Sequence, residues 1–325
     1  MNSEAPQSVE RAGALIGQLR EMIGRAMVGQ AEVVEHVLVA LLCSGHVLVE
    51  GVPGLGKTLL VRALARALSL QHARVQFTPD LLPSDLTGHA VLDPASNALR
   101  IVRGPVFTNI LLADEINRAP AKTQSALLEV MQEFQVTLEG QTHALERPFM
   151  VLATQNPVET EGTYALPEAQ LDRFLLKIVI DYPDAAGEAA VVARATEQQS
   201  GDQLPLDGVR PCLDGHLVQL LQAATARQRV EPAIVDYAVR LARATRSWPG
   251  IAMGSGTRGA IALVRAARAR ALVAGRDFVV PDDLKGMAVA ALQHRISLTP
   301  DAMLEGRQAA ALIAALVEQT PAPRD

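Results

Sequence analysis

Gly51-Val52-Pro53-Gly54-Leu55-Gly56-Lys57-Thr58 fits the pattern GxxxxGK[ST], the spacing of a loop built to hold phosphate. Its glycines let backbone N–H groups curl around phosphate oxygens, and the start of a following helix adds a favourable dipole. Lys57 reaches the outer phosphates in such a loop, and the Thr58 hydroxyl is a ligand for Mg2+. The expected nucleotide contacts are therefore Gly51, Pro53, Gly54, Gly56, Lys57, Thr58 and Leu59. Hydrolysis needs, in addition, an acid at the end of another strand, and Ile110-Leu111-Leu112-Ala113-Asp114-Glu115 offers two. Asp114 is suited to hold the metal and its waters, and Glu115 to polarise the water that attacks the terminal phosphate of ATP. Both features together predict an ATPase using ATP and Mg2+, not a passive nucleotide holder.

The surrounding pattern supplies the elements that such residues require. Apolar positions at helical spacing across 4–44, interrupted at 27–30, predict two helices about a turn. A short apolar run at 46–50 reads as a strand leading into the glycine-rich loop, and 59–70 as the helix after it. Similar runs at 73–77, 110–114, 149–154 and 176–180 bring the count to five buried strands, which predicts a parallel sheet covered on both faces. Two excursions read as hairpins: 90–93 with 99–102, and 135–139 with 142–145 around Gly140. Beyond 182 the strand pattern fades, and helical periodicity takes over at 186–197, 217–226, 232–246, 258–274 and 281–292. The chain therefore divides into an α/β nucleotide-binding core at 1–182 and an all-helical domain at 183–325, with the polar stretch 197–214 a loop.

Composition limits what the molecule does. The 325 residues are 49% hydrophobic and 20% charged, a globular balance, and with only 3% aromatics the interior must be aliphatic. A net charge of -5 provides no overall attraction to a phosphate backbone, so no nucleic-acid partner is expected. Cys43 and Cys212 are too far apart in sequence for a CxxC motif, and the seven histidines show no metal-ligand spacing. The first residues lack the basic start and apolar stretch of a secretory signal, and no apolar run approaches the ~20 residues of a membrane span. A soluble, cytoplasmic protein is the expectation.

Two longer runs are more specific: Leu111-Leu112-Ala113-Asp114-Glu115-Ile116-Asn117-Arg118-Ala119-Pro120, and Gln76-Phe77-Thr78-Pro79-Asp80-Leu81-Leu82-Pro83-Ser84-Asp85. Both resemble one family, the MoxR-type AAA+ ATPases. Ala153-Thr154-Gln155-Asn156-Pro157 and Leu166-Pro167-Glu168-Ala169-Gln170-Leu171-Asp172-Arg173-Phe174 extend the resemblance, so the similarity spans nearly the whole chain. What the resemblance implies is an AAA+ core with strand order 5-1-4-3-2, a helical lid, and a homohexameric ring with nucleotide between subunits. The hairpins become insertions facing the pore or a partner. Asn156 matches the sensor 1 amide, Arg173 the arginine finger that reaches a neighbour's γ-phosphate, and Arg258 the sensor 2 arginine, expected to contact phosphate in cis. Family members commonly carry proline before that last arginine, where this chain has Thr257. Val28, Gly29 and Gln30 resemble the segment lining the adenine pocket.

The same resemblance implies a chaperone-like motor that matures or remodels a client protein complex, often by metal or cofactor insertion, with a von Willebrand factor A domain partner. Three alternatives share the ATP chemistry: the motor subunit of a metal chelatase, a nucleotide-gated scaffold and a nucleic-acid motor. The last would call for basic pore loops, and the predicted hairpins carry little beyond Arg100 and Arg103.

Overall fold

The computed structural model describes residues 8–52, 54–93, 98–156, 162–196 and 206–323. Pro53, the 94–97 turn, Pro157 and the first part of the 197–214 loop lie outside them. Helices α1 (Val9–Gly24) and α2 (Ala31–Leu42) precede strand β1 (Val47–Glu50), and α3 (Lys57–Ala67) leads to β2 (His72–Gln76). A short α4 (Pro83–Thr87) opens the hairpin β3 (Gly88–Asp93) and β4 (Ala98–Arg103). Strand β5 (Ile110–Asp114) is followed by α5 (Ala121–Glu133), the hairpin β6 (Gln135–Leu138) and β7 (Gln141–Ala144), then β8 (Met150–Gln155), α6 (Glu168–Leu171) and β9 (Leu176–Val179).

Five strands form one parallel sheet in the order β2-β5-β8-β1-β9. Counting only these strands along the chain, that is 5-1-4-3-2 read from the far edge, as the resemblance implied. Alternation along each strand sends residues to opposite faces. Val47, Val49, Ile110, Leu112, Met150 and Leu152 join a core with α1, α2 and α3, while Leu48, Leu111, Ala113, Val151 and Ala153 join a second with Leu127, Leu128 and Met131 of α5. Burial on both faces explains why these strands read as continuous apolar runs instead of alternating ones.

The rest of the chain is helical: α7 (Ala185–Thr196), α8 (Gly215–Ala226), α9 (Pro232–Ala244), α10 (Thr257–Val273), α11 (Pro281–Leu292), α12 (Pro300–Leu304) and α13 (Ala309–Gln319). It is not entirely so. Strands β10 (Ile251–Met253) and β11 (Ser297–Leu298) form a small antiparallel pair, which corrects the all-helical expectation. Three and two residues are too few to show a period of two, so this pair left no pattern to read. The last two helices were likewise not anticipated. The first hydrophobic cluster does not stop at the sheet, since it runs on through Leu217 and Leu221 of α8, Leu263 of α10, Leu284 and Met287 of α11 and Ile313 of α13.

Candidate active site

At the mouth of β1 the backbone has room only for glycine. A Cβ on Gly51 would lie 2.5 Å from the carbonyl oxygen of Ile180, because the neighbouring edge strand exits beside it. Gly54 and Gly56 take positive φ values of 88° and 79°, conformations that L side chains resist. Gly56 caps α3 without a side-chain hydrogen bond, which leaves the first N–H groups of the helix facing the loop. The helix starts at Lys57, two residues earlier than its apolar pattern suggests. The Lys57 ammonium donates to the Gly51 carbonyl at 2.6 Å across the loop. Burial holds that ammonium below the usual lysine value, against the opposing pull of Asp114, Glu115 and Glu50.

Gly54, Gly56, Lys57, Thr58 and Leu59 line a cavity of about 340 Å³ with Arg74, Gln76, Asp114, Glu115 and Asn156. The acids reach it from β5, Asn156 from the end of β8, and Arg74 and Gln76 from β2, so the site lies at the carboxyl ends of the parallel strands. Glu115 stands in the left-handed region at φ 56°, a turn that points its carboxylate into the cavity. Thr154 holds that turn, since its hydroxyl accepts from the Glu115 N–H at 2.9 Å and donates to Asp114 Oδ1 at 2.6 Å. Both carboxylates also have cationic or amide partners. Arg74 donates to Asp114 Oδ2 through Nη2 and Nε at 2.7 and 3.2 Å. Gln76 Nε2 and Arg118 Nη1 donate to Glu115 Oε2 at 2.7 and 3.0 Å.

Arg74, Gln76 and Thr154 were not singled out in the sequence. Their common mark is position at or near the end of a parallel strand, which is legible only once strand ends are known. The donor set fits a hard divalent cation beside a triphosphate. Thr58 and Asp114 offer oxygen ligands, and the open left-handed glycine at 54, with nothing within 4 Å of an added Cβ, leaves space for phosphate.

Two groups of expected site residues lie elsewhere. Arg173 and Arg258 line a different cavity, of about 380 Å³, together with Asp172, Arg265 and Arg295. Arg173 Nη1 donates to the Leu128 carbonyl at 2.9 Å, and Arg258 Nη1 faces Asp172 Oδ2 at 3.6 Å. Arg258 therefore lies outside the phosphate-loop cavity, because α10 starts on the side of the core that carries Arg173. Gly29 and Gln30 line a third cavity, of about 690 Å³, against Lys177 and Tyr182. Gln30 Nε2 donates to the Asp181 carbonyl at 3.0 Å, and half-buried Val28 precedes them. Met27 connects this segment to the phosphate loop, its Cε lying 3.6 Å from where a Cβ on Gly56 would be.

Among the described residues no helix is long and apolar enough to cross a membrane. Residues 46–176 match the family of ATPases associated with various cellular activities (AAA), and 243–316 match the AAA lid domain. The chain is 44% identical to the uncharacterized protein YeaC of Bacillus subtilis, with 95% of each chain covered. It is 45% identical to chaperone MoxR1 of Mycobacterium tuberculosis over 87% of this chain and 76% of that one. Among solved structures, a Cytophaga hutchinsonii protein provisionally designated an ATPase superposes with a TM-score of 0.88 at 39% identity, covering 96% of both chains.

Proposed function

This chain belongs to the MoxR family of AAA+ ATPases, and from that premise we propose that it hydrolyses ATP to drive the maturation or remodelling of a client protein complex. One observation carries the chemical part: Lys57, Thr58, Asp114, Glu115 and Asn156, drawn from two strand ends and a helix start, converge on one cavity. In this reading the N–H groups of the glycine loop and Lys57 hold the β- and γ-phosphates. Thr58 and Asp114 hold Mg2+, which when bound neutralises charge on the phosphate oxygens. Glu115 accepts a proton from the attacking water as its oxygen bonds to the γ-phosphorus. The bond from that phosphorus to the bridging oxygen breaks, ADP leaves with the electron pair, and inorganic phosphate is the second product. Asn156 orients the water and the γ-phosphate through its amide.

Arg173 is assigned to the γ-phosphate of an adjacent subunit in a homohexamer, and Arg258, which shares its cavity, to the same face. The Gly29–Gln30 cavity is the adenine side of the site, next to the phosphate loop through Met27. The chaperone role is supported by the relative bearing that name, and a von Willebrand factor A domain protein is the partner that the family implies. The test is a pair of variants. Lys57→Ala abolishes nucleotide binding, whereas Glu115→Gln binds ATP and loses turnover. Parental hydrolysis by Glu115→Gln would remove Glu115 from its role. The same variant, loaded with ATP and used as bait, is the trap from which client and partner are recovered.

A further inference from the structure

The loop that carries Arg173 is gripped from the helical part of the molecule chiefly by Arg295, with His294 Nε2 also 3.0 Å from the Phe174 carbonyl. Arg295 follows α11 and has only 4% of its side chain exposed. Its Nε donates to Asp172 Oδ1 at 2.7 Å, and its Nη2 to the carbonyls of Phe174 at 2.6 Å and Asp172 at 3.3 Å. Its Nη1 donates to the Leu175 carbonyl at 3.1 Å and to that of Ala291 in the last turn of α11. One guanidinium thus binds the backbone on both sides of Arg173, at 172, 174 and 175. The carboxylate of Asp172 is shared, since Oδ2 faces Arg258 at the start of α10. Two residues further on, Ser297 donates to Glu168 Oε1 at 2.6 Å, a further tie between the same two segments. Arg173 itself is held on the core side by Leu128, so its guanidinium is placed by the core and its backbone by Arg295.

A buried cation with so many acceptors could be no more than a staple. Its acceptors argue otherwise, because they are concentrated on the three residues that bracket a single arginine and not spread over the interface. A planar fork of five N–H donors can bind in several directions at once, which a lysine ammonium cannot do.

We propose that Arg295 is a positioning residue for the reaction, fixing Arg173 of its own subunit in the place from which it serves the adjacent subunit's ATP. The proposal rests on the reading of Arg173 as a group acting across subunits. Arg295 touches neither nucleotide nor water, and its effect passes through the backbone of 172–175. Displacing a catalytic group by ~1 Å costs on the order of 100-fold in rate, so Arg295→Met should lower kcat by roughly 10- to 100-fold. KM for ATP and nucleotide affinity should remain within about twofold, because the variant's own phosphate loop is intact. Arg295→Lys should fall between parent and Arg295→Met.

The deciding experiment mixes subunits. Glu115→Gln subunits cannot turn over, but they carry an intact Arg173 loop. Added to Arg295→Met subunits, they should raise ATP turnover per Arg295→Met subunit, as they should for Arg173→Ala subunits mixed in parallel. Recovery in both mixtures supports the proposal. Recovery with Arg173→Ala but not with Arg295→Met overturns it and leaves the shared-site reading standing. No recovery with Arg173→Ala overturns the shared site, and this proposal with it. Should Arg295→Met fail to fold, Arg295→Lys takes its place in the same mixture and is judged by the same criterion.

Discussion

Replacing Thr154 with valine keeps the shape of a side chain that is 1% exposed and removes one oxygen atom with two duties. That oxygen donates to Asp114 Oδ1 at 2.6 Å and accepts from the Glu115 N–H at 2.9 Å. Losing a hydrogen bond to a carboxylate costs roughly 1.5–3 kcal/mol, and leaving a buried N–H unpaired roughly 1–3 kcal/mol. Burying an extra methyl group returns ~0.8 kcal/mol. Thr154→Val should therefore destabilise the fold by about 2–5 kcal/mol, a melting temperature lower by roughly 3–8 °C. The functional effect follows from the same bonds. Glu115 sits at φ 56°, a conformation that costs of order 1–3 kcal/mol and persists only where surrounding contacts enforce it. Freed from Thr154, the Glu115 turn should relax, and ATP turnover should fall by roughly 10- to 100-fold while nucleotide binding through the phosphate loop persists. Thr154→Ser keeps the hydroxyl and should keep most of the activity. Thermal melts, ATP turnover and fluorescent-nucleotide binding on the three proteins suffice. A Thr154→Val protein that melts and turns over like the parent would refute the assigned role of this bridge.

Other consequences concern single groups. His46 is buried, its Nε2 at 2.9 Å from the Met131 carbonyl and its Nδ1 accepting from Val151 N–H at 3.0 Å, and burial lowers its pKa from 6.5 to about 4. Between those values the unfolded chain binds a proton that the native chain refuses, so this contribution is whole above pH 6.5 and is lost as pH falls through 4. At ~1.4 kcal/mol per unit it amounts to about 3 kcal/mol, and denaturant midpoints measured across that range should show His46→Leu with a flatter acid limb than the parent. Burial pushes the Cys43 thiol up to about 12, and its Sγ lies 3.2 Å from the Arg265 carbonyl. A thiolate-directed reagent at neutral pH should label Cys43 slowly in the native protein and rapidly after unfolding. Arg74 competes with a cation for Asp114 Oδ2, so Arg74→Gln should lower the Mg2+ concentration that half-saturates ATP-dependent activity and binding, read by metal titration.

The phosphate loop, the acids and the five strands were legible because each depends on local pattern, whereas the sheet order was implied by the resemblance alone. Glycines at 51, 54 and 56 are demanded by close approach and by positive φ, and an apolar run ending in Asp114-Glu115 names its own strand end. Helices α9 to α11 were equally plain, and α11 was read to both of its ends, with Pro281 in the first turn. What stayed hidden depends on separation in the chain. Thr154 acquires meaning only when β8 lies beside β5, and Arg74 only when β2 does. The placement of Arg258 beside Arg173 stayed hidden for a related reason: no local pattern tells on which side of the core a helix 85 residues beyond Asp172 starts, and here the helix docks beside Asp172. The β10–β11 pair was hidden by brevity, five residues whose partners lie far apart in the chain.

The oily interior that begins under the sheet and continues into α8, α10, α11 and α13 ties two bodies together that sequence pattern separates at 182. Severed there, each piece would present to water the apolar surface that its counterpart now covers, and neither would be expected to hold its shape alone. Heat should accordingly dissolve both in one cooperative step. A tilt imposed on the helices would strain the sheet itself, whose strand ends carry the phosphate loop.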